Sequence, residues 1–181
     1  MPAIDDLVVD VPGTGCHLRP VRLADAPALE TEIRSFDVAR MLARVPHPYP
    51  RGSAEGWIEM SRACLANGVA LNLTIVADQP IGVVGFGPFG AEADLGYWLA
   101  QSRWGRGIMT EAVRAAIAHA FENGAETIVS GVFADNPASL RVQQKLGFDV
   151  VGESRVYSLA RKARVAHIDT RLTREQFRDA A

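Results

Sequence analysis

At Leu99 the hydrophobic pattern of this chain changes period, and that change restricts the folds open to it. Before it, Leu71-Asn-Leu-Thr-Ile-Val76 alternates, Asp78-Gln-Pro80 turns, β character resumes from Ile81 to Phe89, and Asp94 to Leu99 reads as another strand. Connections this short join antiparallel neighbours, so a meander is expected. After it, Met109, Val113, Ile117 and Phe121 recur every fourth residue, with Ala116 and Ala120 in the same stripe and Asn123-Gly124 as the stop. A strand over Thr127 to Phe133 follows. Asn136-Pro137 then opens a helix carrying Ala138, Val142 and Leu146, which ends at Gly147 with Phe148 packing back, and strands near 148–158 and 163–173 close the chain.

Upstream of the meander, Leu18 to Leu23 reads as the first strand, and a helix runs from Ala24-Asp25 to about Arg34 with Asp25 as its cap and Pro27 in its first turn. Val45-Pro-His-Pro-Tyr-Pro50 stops regular structure in favour of an extended loop. Ser53 caps a second helix with Trp57, Ile58, Met60 and Cys64 on its apolar side. No repeat or linker interrupts this order. The expectation is a single domain over residues 1–181, α/β (α+β) in class.

Composition narrows the function classes. Of 181 residues, 48% are apolar and 22% charged, and 19 basic against 21 acidic side chains leave a net charge of −2. Disorder is disfavoured, as is a general nucleic-acid binder, which needs a basic field. The acidic start, Met1 to Asp6, lacks the basic end and apolar run of a signal peptide, and no run of roughly 18 apolar residues is present. A cytoplasmic protein with no membrane or nucleic-acid partner is expected. Cys16 and Cys64 lack metal-ligand spacing, so no metal is expected and both read as structural thiols.

Three segments carry possible chemistry. Gly85-Phe-Gly87-Pro-Phe-Gly90 matches a dinucleotide fingerprint literally, but no helix follows it, so it reads as turn glycines. Trp104-Gly-Arg-Gly-Ile-Met-Thr110 leaves a strand and enters the strongest helix. Two glycines there expose successive N–H groups at a helix N-terminus, which suits a pyrophosphate, and Arg106 adds charge; on these residues alone a purely structural turn is the alternative. Asn136-Pro-Ala-Ser139, in isolation, is a helix cap.

Taken in order, these segments resemble the Gcn5-related N-acetyltransferase (GNAT) superfamily, in particular its RimJ/RimL-like protein N-terminal acetyltransferase branch. The resemblance runs from about Leu18 to Phe177. It rests on Leu18-Arg-Pro-Val-Arg-Leu with Asp25, the Pro-His-Pro-Tyr-Pro loop before Trp57, Leu95-Gly-Tyr-Trp-Leu99, Trp104 to Ala112, Asn136 with Ser139, Lys145-Leu-Gly-Phe148, and His167 to Phe177. It implies a mixed, mostly antiparallel sheet of about seven strands, splayed between the fourth and fifth and flanked by about four helices, with acetyl-CoA in the splay. It places Trp98 and Leu99 against the pantetheine, Trp104, Gly105, Arg106, Gly107, Ile108, Met109 and Thr110 around the pyrophosphate, Asn136 by the pantetheine and Ser139 by the sulfur. Met109 replaces a small residue of the family, which leaves its amide usable if the side chain turns to the core. Gln143 stands where many relatives carry a tyrosine acid, so Ser139 is the expected general acid.

The implied reaction is direct acetyl transfer from acetyl-CoA to a primary amine, either a protein N-terminus or a small molecule, by a monomer or homodimer. Glu92, with Asp94 beside it, is the candidate base. His47 and Tyr49 of the proline-rich loop are candidate acceptor contacts, His119 reads as exposed, and His167 as a structural strand residue. The alternative is a non-catalytic acyl-CoA-binding sensor or interaction module.

Overall fold

The computed structural model describes residues 6–88 and 90–179. The acidic stretch Met1 to Asp5 and Phe89 of the glycine-rich match lie outside them. The strands are β1 (Val9–Val11), β2 (Cys16–Pro20), β3 (Leu71–Val76), β4 (Pro80–Phe86), β5 (Glu92–Leu99), β6 (Thr127–Phe133), β7 (Asp149–Ser158) and β8 (Ala163–Thr173). Four helices have eight or more residues: α1 (Ala26–Ile33), α3 (Ser53–Ala66), α4 (Ile108–Glu122) and α5 (Pro137–Lys145). Two are shorter, α2 (Phe36–Ala39) and α6 (Arg174–Asp179).

All eight strands form one sheet in the order β1-β2-β3-β4-β5-β6-β8-β7. Neighbours are antiparallel except β5 and β6, which run parallel and pair only over Glu92–Asp94 and Thr127–Val129. Beyond Asp94 and Val129 the two strands separate. The count exceeds the expected seven because Val9–Val11 adds an edge strand against β2, in a stretch too short for alternation to reveal. The splay expected between the fourth and fifth strands therefore lies between β5 and β6.

The stripe on α4 is buried as expected: Val113, Ile117, Ala116 and Ala120 are inaccessible to solvent, and Met109 packs partly buried against the same core. At α3 the expected apolar side is rotated. Ala54, Ile58, Ser61 and Leu65 face inward, whereas Met60 is 58% exposed. Asp25 also differs from expectation. Its carboxylate makes no cap bond to α1; it accepts from the Arg22 amide at 2.9 Å, from both Arg19 guanidinium nitrogens at 2.8 and 2.7 Å, and from the buried Thr74 hydroxyl at 2.8 Å. It ties β2, β3 and the turn before α1 together.

Candidate active site

The separated ends of β5 and β6 open a cavity of about 590 Å³, whose lining includes residues 95–99 of β5, 103–110 of the following loop, and 130–133 of β6. Its shape follows from the ladder. The Gly87 amide bonds the Asp94 carbonyl at 2.9 Å and the Ala100 amide bonds Ile81 at 2.8 Å, so alternate residues Asp94, Gly96, Trp98 and Ala100 turn their peptide groups to β4. Leu95, Tyr97 and Leu99 turn theirs to the gap. Two of those carbonyls have side-chain donors: the Ser130 hydroxyl reaches Leu95 at 2.8 Å and the Trp104 indole reaches Leu99 at 2.8 Å. The main chain of Trp98 thus belongs to β4, and Tyr97 and Leu99 carry the amides that face the opening. The Trp98 peptide, expected against the pantetheine, is turned to β4 instead, although Trp98 is among the residues lining the cavity.

At one end of the cavity the chain passes through Gly105 (φ +74°) and Gly107 (φ +78°) into α4. A side chain would be strained in this left-handed backbone. Nothing lies within 4 Å of the space a Cβ would occupy at either glycine, so a ligand can approach the backbone closely. Ile108 starts the helix and is buried, Thr110 is half-buried, and Arg106 is exposed beside the loop. The free amides of a helix N-terminus, with Arg106 in the loop and Lys145 of α5 lining the same recess, make this end an anion cradle.

The walls of the opening divide by strand alternation. On the side of α4 and α5, Tyr97 from β5 meets Ser139 from the first turn of α5, with hydroxyl oxygens 2.8 Å apart. Asn136 caps that helix by accepting the Ser139 amide at 3.1 Å. Behind them, the Gln143 amide nitrogen donates to Ser130 at 3.0 Å and its oxygen accepts from Thr170 at 2.8 Å. Gln143 is inaccessible to solvent. It bridges β6 and β8, a structural task that a bare helical pattern does not disclose. Burial pushes the Tyr97 phenol up to about 12, against contacts with Ser139 and Gln143 that pull it down. Tyr97 was missed in the sequence reading. The available signal was its place in alternation with Leu95 and Leu99, where a phenol needs a partner.

The opposite face carries ionisable groups. His167 lines the cavity, and its Nδ1 lies 2.8 Å from the Asp169 carboxylate, which also accepts from Ser154 at 3.0 Å. The ring packs edge-on to Phe133, with centroids 5.7 Å apart. Desolvation raises the Asp94 carboxyl above its ordinary value, opposed in part by Arg44 and His167. Glu92 sits where β5 and β6 still pair; its exposed carboxylate is 3.5 Å from Arg171. That placement removes it from the opening and corrects its candidacy as base.

The outer wall comes from α2 and the segment after it, which the turn of the β7–β8 hairpin braces. Val38, Met41, Leu42 and Ala43 line the cavity. The Leu159 amide donates to the Ala43 carbonyl at 3.0 Å, and Arg161 donates to the Arg40 carbonyl at 2.6 Å and to the Asp135 carboxylate at 2.8 Å while lying over the Phe133 ring. His47 and Tyr49 do not take the expected place. The His47 ring meets Phe36 edge to face, with centroids 5.0 Å apart, and Tyr49 packs against the small core around Val21, Leu29 and Ile58. The extended loop turns its aromatic side chains inward, and the residues preceding it form the wall instead. His119, expected to be exposed, is half-buried, which lowers its pKa despite Glu122 nearby. Gly85 lies inside β4 opposite Gly96, in keeping with a strand reading of the glycine-rich match. Among the described residues no cluster of three or more potential metal ligands occurs.

Residues 16–149, well over half of the chain, match the acetyltransferase (GNAT) domain family. The chain belongs to that family. The GNAT domain is similar to the ribosomal-protein-serine acetyltransferase of Escherichia coli strain K12, at 37% identity over 79 residues, 41% of this chain and 44% of that protein. It spans less than half the length of the first curated relatives it matches. Among solved structures it resembles Mycobacterium smegmatis RimJ in complex with CoA-disulfide, with a TM-score of 0.81 and 24% identity over 94% of this chain and 87% of that one. It also resembles the ribosomal-protein-S5-alanine acetyltransferase of Vibrio fischeri, with a TM-score of 0.80 and 21% identity over 95% and 99%. The likeness to these structures is one of fold, and the GNAT fold expected from the sequence is the fold observed. Among the described residues no helix is long and apolar enough to cross a membrane.

Proposed function

We propose that this GNAT domain, with a core from about residue 18 to 177, is an N-acetyltransferase that passes an acetyl group directly from acetyl-CoA to a protein N-terminal α-amine. The observation that carries the reading is the continuity of the strand gap with the glycine cradle. Amides of Tyr97 and Leu99 facing an opening, joined to an anion-binding helix start, suit an elongated thioester with a pyrophosphate at one end. Open space over Gly105 and Gly107 fits such a group. Gly105 to Thr110 would hold the pyrophosphate, and the gap-facing backbone of β5 the pantetheine arm. When bound, acetyl-CoA supplies an activated acyl thioester.

The amides of Tyr97 and Leu99 are placed to stabilise negative charge developing on a carbonyl oxygen in the gap, and loss of one such donor typically costs about 10²–10³ in rate. Ser139 donates the proton that the leaving sulfur requires, and Tyr97, 2.8 Å away, orients its hydroxyl. An α-amine, with an ordinary pKa of about 7.7–8.0, is easier to deprotonate than a lysine at about 10.4. The names of the RimJ and ribosomal-protein relatives support a protein acceptor.

Thiol release from acetyl-CoA, measured across peptides with free N-termini, polyamines, amino acids and aminoglycosides, tests this. Release with peptides, abolished by capping their N-termini, is expected. Release with one small amine alone would overturn the acceptor assignment. Binding of CoA with no turnover anywhere would favour a sensor over an enzyme.

A further inference from the structure

On the proposed reading of the site, one step lacks an owner: removal of a proton from the incoming ammonium. The residue nominated for it, Glu92, is committed to Arg171 on the exposed surface. On the same face of the sheet, further along the opening, His167 and Asp169 stand two residues apart on β8 and so project together. Asp169 lies 2.8 Å from Nδ1 of His167 and is itself held by Ser154 at 3.0 Å. A carboxylate at Nδ1 fixes the proton there and leaves Nε2 as an acceptor. Nε2 has no protein hydrogen-bond partner among the described residues, and His167 lines the same cavity as Ser139.

The backbone of β6 is shaped around this ring. A Cβ built at Gly131 would fall 2.0 Å from His167 Cε1 and 2.8 Å from Nε2. No other residue type fits beneath the imidazole where it stands. Phe133, edge-on at 5.7 Å, flanks the ring on the same strand. The charged groups around it are Asp169 on its own strand and Asp94 on β5, the latter also under the influence of Arg44.

We propose that His167 is the general base for the amine, with Asp169 as its positioning residue and Gly131 as the gap that admits its ring. One proton passes from the ammonium to Nε2. The freed lone pair forms the bond to the carbonyl carbon as the carbon–sulfur bond breaks, and the sulfur takes the hydroxyl proton of Ser139. The second nitrogen proton leaves as the amide forms and restores the serine through solvent, while His167 returns its own proton to water. The sum is one acetylated amine, one thiol and one proton released.

Two measurements test this independently of each other. Long-range nitrogen–proton NMR of the ligand-free protein reads the tautomer without turnover. The Nδ1–H tautomer is expected for the neutral ring, with loss of that preference in Asp169→Asn; the Nε2–H tautomer in the unmodified protein would overturn the proposal. Kinetics with a free-N-terminus serine peptide, or whichever amine of the panel releases thiol, compares the wild type with His167→Gln and Gly131→Ala. A general base contributes about 10²–10⁴-fold. A fall of at least 100-fold at pH 6, with CoA affinity by calorimetry and the unfolding midpoint of His167→Gln near wild type, is expected. Gly131→Ala should show the same defect by displacing the ring. Wild-type turnover with unchanged His167→Gln rates at pH 6 would overturn this assignment alone; no turnover by the wild type with any amine would instead remove the acetyltransferase reading beneath it.

Discussion

The two faces of the opening between β5 and β6 are built from opposite materials. Toward α4 and α5 the side chains next to β5 and β6 are neutral and joined in short hydrogen bonds: Tyr97 to Ser139, and Thr170 through Gln143 to Ser130 and on to the Leu95 carbonyl. Toward the outer wall they are titratable: Asp94, His167 and Asp169, with Arg44 and Arg171 nearby. Behind the neutral face Gln143 and Thr170 are buried, so their polar atoms must find protein partners. The ionisable face keeps enough solvent access for charge to move. The difference gives the proposed reaction a direction, with protons taken on the outer face and given on the inner one.

Both faces are proposed to depend on the one glycine cradle, so damage there should disable them together. Gly107→Asp imposes a left-handed aspartate and sets a carboxylate where a pyrophosphate would lie. The acetyl-CoA KM should rise about 100-fold while the amine KM moves little. A rise confined to the amine KM would break the shared-cradle view.

The neutral face is sharpened next by Gln143→Leu, close in volume but unable to bridge. Thr170 loses its acceptor and Ser130 its donor, at a cost of about 1–3 kcal/mol in urea unfolding. Wild-type stability would mean that the network does not hold β6 and β8 in place.

Tyr97→Phe is the smallest change. Losing the hydroxyl beside Ser139 should lower kcat about two- to tenfold, the range of one neutral hydrogen bond, with CoA affinity retained. Its pH signature is separate. A phenol at about 12 in the folded protein, against an ordinary 10, contributes stability that is complete below pH 10 and lost as pH rises toward 12. The variant should therefore lose less stability than the wild type across that window, as read by unfolding at stepped alkaline pH.

These faces were unequally legible in the sequence. Periodicity located β3, β6, β8 and the buried stripe of α4, and the glycine pair at 105 and 107 located the cradle, because local rules govern both. Ser139 stands out only through the family resemblance, since its place in a helix cap implies no chemistry by itself. Gln143 and Tyr97 were not understood, since their roles exist only once β5, β6, β8 and α5 converge. His167 was read as structural for the same reason: Gly131, which makes room for its ring, lies 36 positions earlier in the chain. Glu92, His47 and Tyr49 differ the other way, since none of them lines the cavity. Proximity in sequence to the right strand or loop said nothing of which way each side chain turns.

The division of the opening is tested most directly by the pH dependence of kcat/KM for Ser139→Ala and His167→Gln beside the wild type. Ser139→Ala should run below the wild type by about 10- to 100-fold at every pH, since a neutral donor is removed. His167→Gln should fall furthest near pH 6 and converge on the wild type above pH 9, where an α-amine of pKa about 7.7–8.0 is already free. Parallel profiles for the two variants would contradict the account, because a shared, pH-independent loss leaves no proton-taking face.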